Sequence, residues 1–162
     1  MAKIILLTLF FFILSNRVFS QYDFELDDIE GNTVKLSEAL KKGPVFVHFW
    51  AMWCSSCKDE LKILENLNSK YKDSGFVLIA VNIDNPKSSP KVKSFIVSKN
   101  YDFAVVLDPV SSVFANFGGQ NLPFSVFMDK KGNIVKTYSG FMEGDESSIE
   151  TDIKNILTAD KK

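Results

Sequence analysis

Val45-Phe46-Val47-His48-Phe49-Trp50-Ala51-Met52-Trp53-Cys54-Ser55-Ser56-Cys57-Lys58-Asp59-Glu60 carries the reading of the whole chain. Residues 45–50 are apolar or aromatic at every position except His48, which predicts a central strand covered on both faces. Beyond the cysteines the period changes. Cys57, Leu61, Leu64 and Tyr71 recur at helical spacing, with Lys58, Asp59, Lys62 and Glu65 largely outside the stripe, so a helix is expected to open at Cys54 and run to about residue 72. The two cysteines therefore stand where a buried strand gives way to a helix. Free N–H groups and the helix dipole favour an anion at that first turn by up to ~2 kcal/mol, which makes Cys54 the expected nucleophile. Cys57 lies one turn further in, on the apolar stripe, where desolvation keeps the thiol protonated until it attacks a mixed disulfide.

Working outward, Phe24, Leu26 and Val34, Leu36 flank a turn at Glu30-Gly31-Asn32 and suggest a small hairpin, followed by a short helix over 37–41 that Pro44 ends. Downstream, a buried strand over 76–82, a helix over 91–99 with Val92, Phe95 and Ile96, and a short strand over 104–107 make a βαβ arrangement. A helix over 111–117 precedes strands at 124–128 and 134–138, which bracket the Gly-containing turn Asp129-Lys130-Lys131-Gly132-Asn133. Ile149, Ile153, Ile156 and Leu157 mark a final helix. No internal repeat, interdomain linker, Walker loop or GxGxxG pattern occurs.

The 162 residues, 46% hydrophobic and 24% charged, suffice for one packed domain. With 19 basic and 20 acidic side chains there is no positive excess to hold a phosphate backbone, which argues against nucleic-acid binding. Lys3, the apolar run over 4–14, and Val18 and Ser20 at the minus-three and minus-one positions of a cleavage site read as a secretory signal peptide over 1–20, leaving a domain over 21–162. An eleven-residue helix rises ~16 Å against a ~30 Å hydrocarbon core, so no stable span is expected once the signal is removed, a retained signal anchor being the alternative. Removal of residues 1–20 from the 162 leaves 142, beginning at Gln21, with 17 basic and 20 acidic side chains and a net charge of -3. Export, to a periplasm or another extracytoplasmic compartment, puts the chain where disulfides persist. Yet its two cysteines close a loop far shorter than the fifteen residues that give ~3 kcal/mol, so the pair is expected to serve chemistry rather than stability. Two Cys and the single His48 fall short of the four ligands of structural zinc, and no metal or other cofactor is expected.

The segment Phe49 through Glu60 resembles the active-site region of the TlpA/ResA-like branch of the thioredoxin family. The resemblance extends to Phe24-Glu25-Leu26 with Gly31, to residues 77–84, and to Leu122-Pro123 followed by Phe127-Met128-Asp129 and Gly132, and so covers nearly all of residues 22–158. It implies an α/β thioredoxin fold, a central mixed β-sheet flanked by helices, with an N-terminal β-hairpin extension. It implies an exported thiol-disulfide oxidoreductase, a reductase of envelope protein disulfides as in cytochrome c maturation, supplied by a membrane thiol-electron donor and acting as a monomer. An envelope dithiol oxidase, a non-catalytic binding module and a copper carrier are the alternatives. A peroxiredoxin is disfavoured, because counting back from Cys54 through its Pro-x-x-x-Thr-x-x-Cys pattern finds Val47 and Ala51. The chain departs from the branch at Lys62, where relatives carry a helix-kinking Pro, at Ser55-Ser56, which lacks a Pro before the second Cys, and at Phe124-Ser125, which replaces a Thr after the proline.

Six further residues are weighed beside the same resemblance. The Leu122-Pro123 bond is expected to be cis, against the ordinary trans preference of X-Pro, presenting a backbone edge without an N–H to the Cys54 sulfur. Trp50 and Trp53 flank the site. Glu60, one turn after Cys57 with no helical salt-bridge partner, reads either as a group tuning the dithiol or relaying protons, or as a solvated surface residue. His48 occupies the position of a buried Asp in thioredoxins, which suggests a proton relay. A satisfied core histidine is the competing reading.

Overall fold

The computed structural model describes residues 22–159; the segment 1–20, expected from sequence to be a signal peptide, lies outside them. The chain opens with β1 (Glu25–Asp27) and β2 (Thr33–Lys35), an antiparallel hairpin, and continues into α1 (Leu36–Lys42). Asp28 closes the turn by accepting the N–H groups of Glu30 and Asn32, both at 2.8 Å, while Gly31 takes the positive φ of +87° that the reversal needs. The same Asp-x-x-Gly-Asn solution recurs at Asp129 and Asn133, with Gly132 at φ +81°.

The main sheet comprises β3 (Val45–Trp50), β4 (Val77–Asn82), β5 (Ala104–Leu107), β6 (Phe124–Met128) and β7 (Ile134–Ser139), in the order β5-β4-β3-β6-β7. β3, β4 and β5 run parallel, whereas β6 and β7 are antiparallel, so the sheet is mixed as expected. All six residues of β3 are buried, because α2 (Ser55–Tyr71), α3 (Ser89–Lys99) and α5 (Asp145–Ala159) cover one face and α1, the hairpin and α4 (Ser112–Asn116) the other. The helix expected over 91–99 begins two residues earlier, since Pro90 in its first turn gives up only an N–H that has no intrahelical partner. The helix expected over 111–117 shortens to five residues, anchored by buried Asp108, whose carboxylate accepts from the N–H groups of Ser112 and Phe114 at 2.9 Å. Among the described residues no helix is long and apolar enough to cross a membrane.

Candidate active site

α2 begins with Cys54 as its N-cap and Ser55 as its first residue. Cys54 and Cys57 form a disulfide, with their Cα atoms 5.3 Å apart. The Cys57 N–H points at Cys54 Sγ at 3.2 Å, and Ser56 Oγ lies 3.6 Å from the same sulfur. One free amide of the first turn thus points at the outer cysteine, whose side chain accepts it as an N-cap. Cys57 is fully buried and Cys54 nearly so, in a cluster with Trp50, Ala51, Leu61, Ala80 and Val92.

Two long-range contacts hold the approach to this turn. Met52 N–H donates to Asp84 Oδ2 at 2.7 Å, and the same oxygen accepts from Asn82 Nδ2 at 2.8 Å. The bend between β3 and α2 is therefore tied to the end of β4. On the other side Leu122 packs against the cysteine cluster, and the Leu122–Pro123 peptide is cis, with Pro123 buried and its carbonyl accepting from Gly140 N–H at 2.9 Å. The Pro123 nitrogen carries no hydrogen, so it takes no part in a backbone ladder. The flanking tryptophans divide: Trp50 is buried against Phe95, ring centroids 5.7 Å apart, while Trp53 is 71% exposed.

One helical turn after Cys57, α2 contributes to a buried polar trio. β3 and β6 pair antiparallel with His48 opposite Ser125, and α2 lays Glu60 against both. Ser125 Oγ donates to Glu60 Oε1 at 3.1 Å, lies 2.9 Å from His48 Nδ1, and Nδ1 is 3.5 Å from the same carboxylate oxygen. Glu60 is 1% exposed, which overturns the reading of a solvated surface residue. The reason is helical phase: three residues after Cys57 and four before Leu64, it falls inside the apolar stripe, not beside it. Burial of a carboxylate is tolerable only with hydrogen-bond partners from outside the helix, which the sheet supplies. Tyr138, paired across β6–β7 with Ser125, stands at the edge of the trio and donates to Asp152 at 2.7 Å. Burial, with the bond to Asp152, holds its phenol well above the ordinary range. Among the described residues no group of three or more His, Cys, Asp or Glu side chains is arranged to hold a metal ion.

The Redoxin family matches residues 20–153, most of the chain. The thiol-disulfide oxidoreductase ResA of Bacillus subtilis is 33% identical over 135 residues, 83% of this chain and 72% of that protein. ResA of Halalkalibacterium halodurans is 34% identical over 120 residues, 74% of this chain and 66% of the relative. The chain belongs to the Redoxin family. Within it the chain is a ResA-like thiol-disulfide oxidoreductase with its Cys54-x-x-Cys57 disulfide formed. A crystal structure of a putative thiol:disulfide interchange protein DsbE from Chlorobium tepidum superposes with a TM-score of 0.77 at 30% identity, covering 83% of this chain and 93% of that one, and the fold is that of thioredoxin.

Within this family member, the sequence brought forward Cys54, Cys57, Trp50, Leu122 and Pro123, and they surround one turn of backbone. His48 and Glu60, read separately from sequence, meet through Ser125, which sequence reasoning noticed only as a departure from relatives. The signal for it was present: a second polar residue in a second buried apolar strand. Asp84 gave no such signal, because its partner Met52 is 32 residues away.

Proposed function

We propose that the protein is an exported reductase of protein disulfides, with Cys54 as the attacking thiol and Cys57 as the resolving thiol. The observation that carries the assignment is the cap geometry: the Cys57 N–H directed at Cys54 Sγ would stabilise negative charge on that sulfur alone. Cys54 attacks a substrate disulfide, Cys57 attacks the mixed disulfide, and the reduced substrate leaves. Trp53, exposed beside the cysteines, offers an apolar surface, and the backbone at Leu122, ahead of the cis proline, would pair with an extended substrate segment. Glu60, one helical turn after Cys57, and His48 supply a buried proton acceptor.

The reductive direction is supported by what surrounds the sulfurs. A dithiol oxidises strongly when its reduced form is over-stabilised. Here Ser55 and Ser56 between the cysteines are neutral, and Glu60 disfavours additional negative charge. The reduction potential is therefore expected nearer thioredoxin's ~-270 mV than the ~-120 mV of a dedicated oxidant. The envelope location rests on Lys3, the run over 4–14 and Val18-x-Ser20. A membrane thiol donor would recharge the pair, and cytochrome c maturation is one pathway of fitting chemistry.

The test is trapping with Cys57→Ser in cells, alongside a glutathione redox titration of the wild-type protein. Expected are oxidised envelope proteins caught on Cys54 and a potential in the thioredoxin range. A potential above about -150 mV, with newly secreted dithiol proteins as the trapped partners, would make the protein an oxidase.

A further inference from the structure

Ser125 lies two residues past the cis proline, is 1% exposed, and has no part in the thiol chemistry as described so far. Its hydroxyl has one proton to give. With that proton given to Glu60 Oε1, the 2.9 Å contact with His48 Nδ1 is left for the imidazole to donate, the tautomer inferred here. The serine thereby sets the polarity of the whole trio. A neutral imidazole donating from Nδ1 has Nε2 as a bare acceptor. Glu60 Oε1 accepts from Ser125 Oγ and lies 3.5 Å from His48 Nδ1, whereas Glu60 Oε2 and His48 Nε2 are buried side-chain atoms without a hydrogen-bond partner. The carboxylate is thus anchored to the sheet by one oxygen, with the other left open one helical turn from Cys57. Without that anchor its terminal torsion is broad and roughly two-fold, and neither oxygen is singled out.

We propose that Ser125 is a positioning residue for the dithiol chemistry: it pins Glu60 Oε1 and the Nδ1–H form of His48, and so presents Glu60 Oε2 to receive the Cys57 proton. The proposal rests on Cys57 being the resolving thiol. In that step the Cys57 S–H bond breaks and its proton passes to Glu60 Oε2. The Cys57 sulfur bonds to Cys54, the bond from Cys54 to the substrate sulfur breaks, and the electron pair leaves on the substrate thiolate, so the substrate is reduced and the cysteine pair oxidised. The other titratable groups around the trio do not compete. Tyr138 reaches it from β7, but its phenol is held protonated by burial and by Asp152, which is itself paired with Lys136 at 2.6 Å.

Two measurements test this. His48 is the single histidine, so its ring nitrogens give one unambiguous pair of 15N resonances. Oxidised wild-type protein should show Nδ1 protonated and Nε2 bare; the opposite tautomer overturns the proposal without any variant having to fold. The second measurement follows release of thionitrobenzoate from its mixed disulfide with Cys54, between about pH 6 and 9, in wild type, Ser125→Ala and Ser125→Thr. Ser125→Ala should slow release about tenfold near neutral pH, with the gap closing at alkaline pH where the Cys57 thiol ionises unaided, and Ser125→Thr should restore the rate. Superposable profiles, or a slowing equal at every pH, overturn it. A wild-type adduct that Cys57 does not resolve would instead sink the assignment of the thiols, and this proposal with it.

Discussion

β3 presents Val45, Val47 and Phe49 to one side of the sheet and Phe46, His48 and Trp50 to the other, and the two sides are built differently. On the first, Phe49 sits among Phe114, Phe117 and Phe124 at centroid distances of 5.4, 5.6 and 5.9 Å, within an apolar core that includes Ile79, Val81, Val126 and Met128. On the second, the apolar packing is split. Phe46 and Phe127 close one cluster at 5.5 Å, Trp50 and the cysteines form another, and the His48–Ser125–Glu60 trio belongs to neither. A single strand thus puts stability on one face and a polar seam on the other. Such a seam is a weak contributor to stability, because the desolvation of its charged and polar groups cancels much of their attraction.

The contrast is broken most severely from the apolar side. Phe49→Ala should cost about 3–5 kcal/mol in denaturant unfolding, through lost burial and a cavity its ring partners cannot fill, while the pH profile of disulfide resolution stays unchanged. A loss under about 1 kcal/mol would mean that this face is no more specifically packed than the other. The polar side should answer oppositely. Replacing the whole trio at once, His48→Met with Glu60→Leu and Ser125→Ala, should leave stability unchanged or raise it by about 1–4 kcal/mol, since no buried polar atom is orphaned, while resolution by Cys57 slows. A marked loss of stability in the triple variant would show that the seam holds the fold together as well as serving the sulfurs.

The same difference explains what was legible from sequence. Buried parallel strands announce themselves as unbroken apolar runs, so β3, β4 and the position of Cys54 and Cys57 at a strand-to-helix junction could be read from residues alone. The hairpin turns could be read because Asp-x-x-Gly-Asn satisfies its own backbone. The trio could not, because it depends on register: a shift of β6 against β3 by one residue would face Phe124 or Val126 toward Glu60 instead of Ser125, and the apolar pattern of 124–128 alone does not choose among these. The link from Asp84 to Met52 has the same origin, a pairing of β3 with β4 that no local pattern encodes.

The smallest effect lies at the solvent rim of the catalytic face, where α2 meets α5. Glu150 accepts from Lys70 Nζ at 2.6 Å, from the Tyr71 hydroxyl and from Lys154 Nζ at 3.2 Å, and these bonds bring its carboxyl from 4.5 to about 2. A carboxylate with a depressed pKa favours the folded state above its unfolded value, near 4.5 here, and loses that contribution as pH falls toward about 2. The group is partly exposed and its two lysine partners are exposed, so salt screens the effect and its size is small. Wild type should therefore melt slightly above Glu150→Gln at neutral pH and low ionic strength, with the two converging as the solution is acidified to about pH 2. A difference that persists unchanged at that pH would mean that Glu150 acts through packing of the Tyr71 ring rather than through its charge. The α2–α5 rim would then resemble the apolar face more than the polar seam.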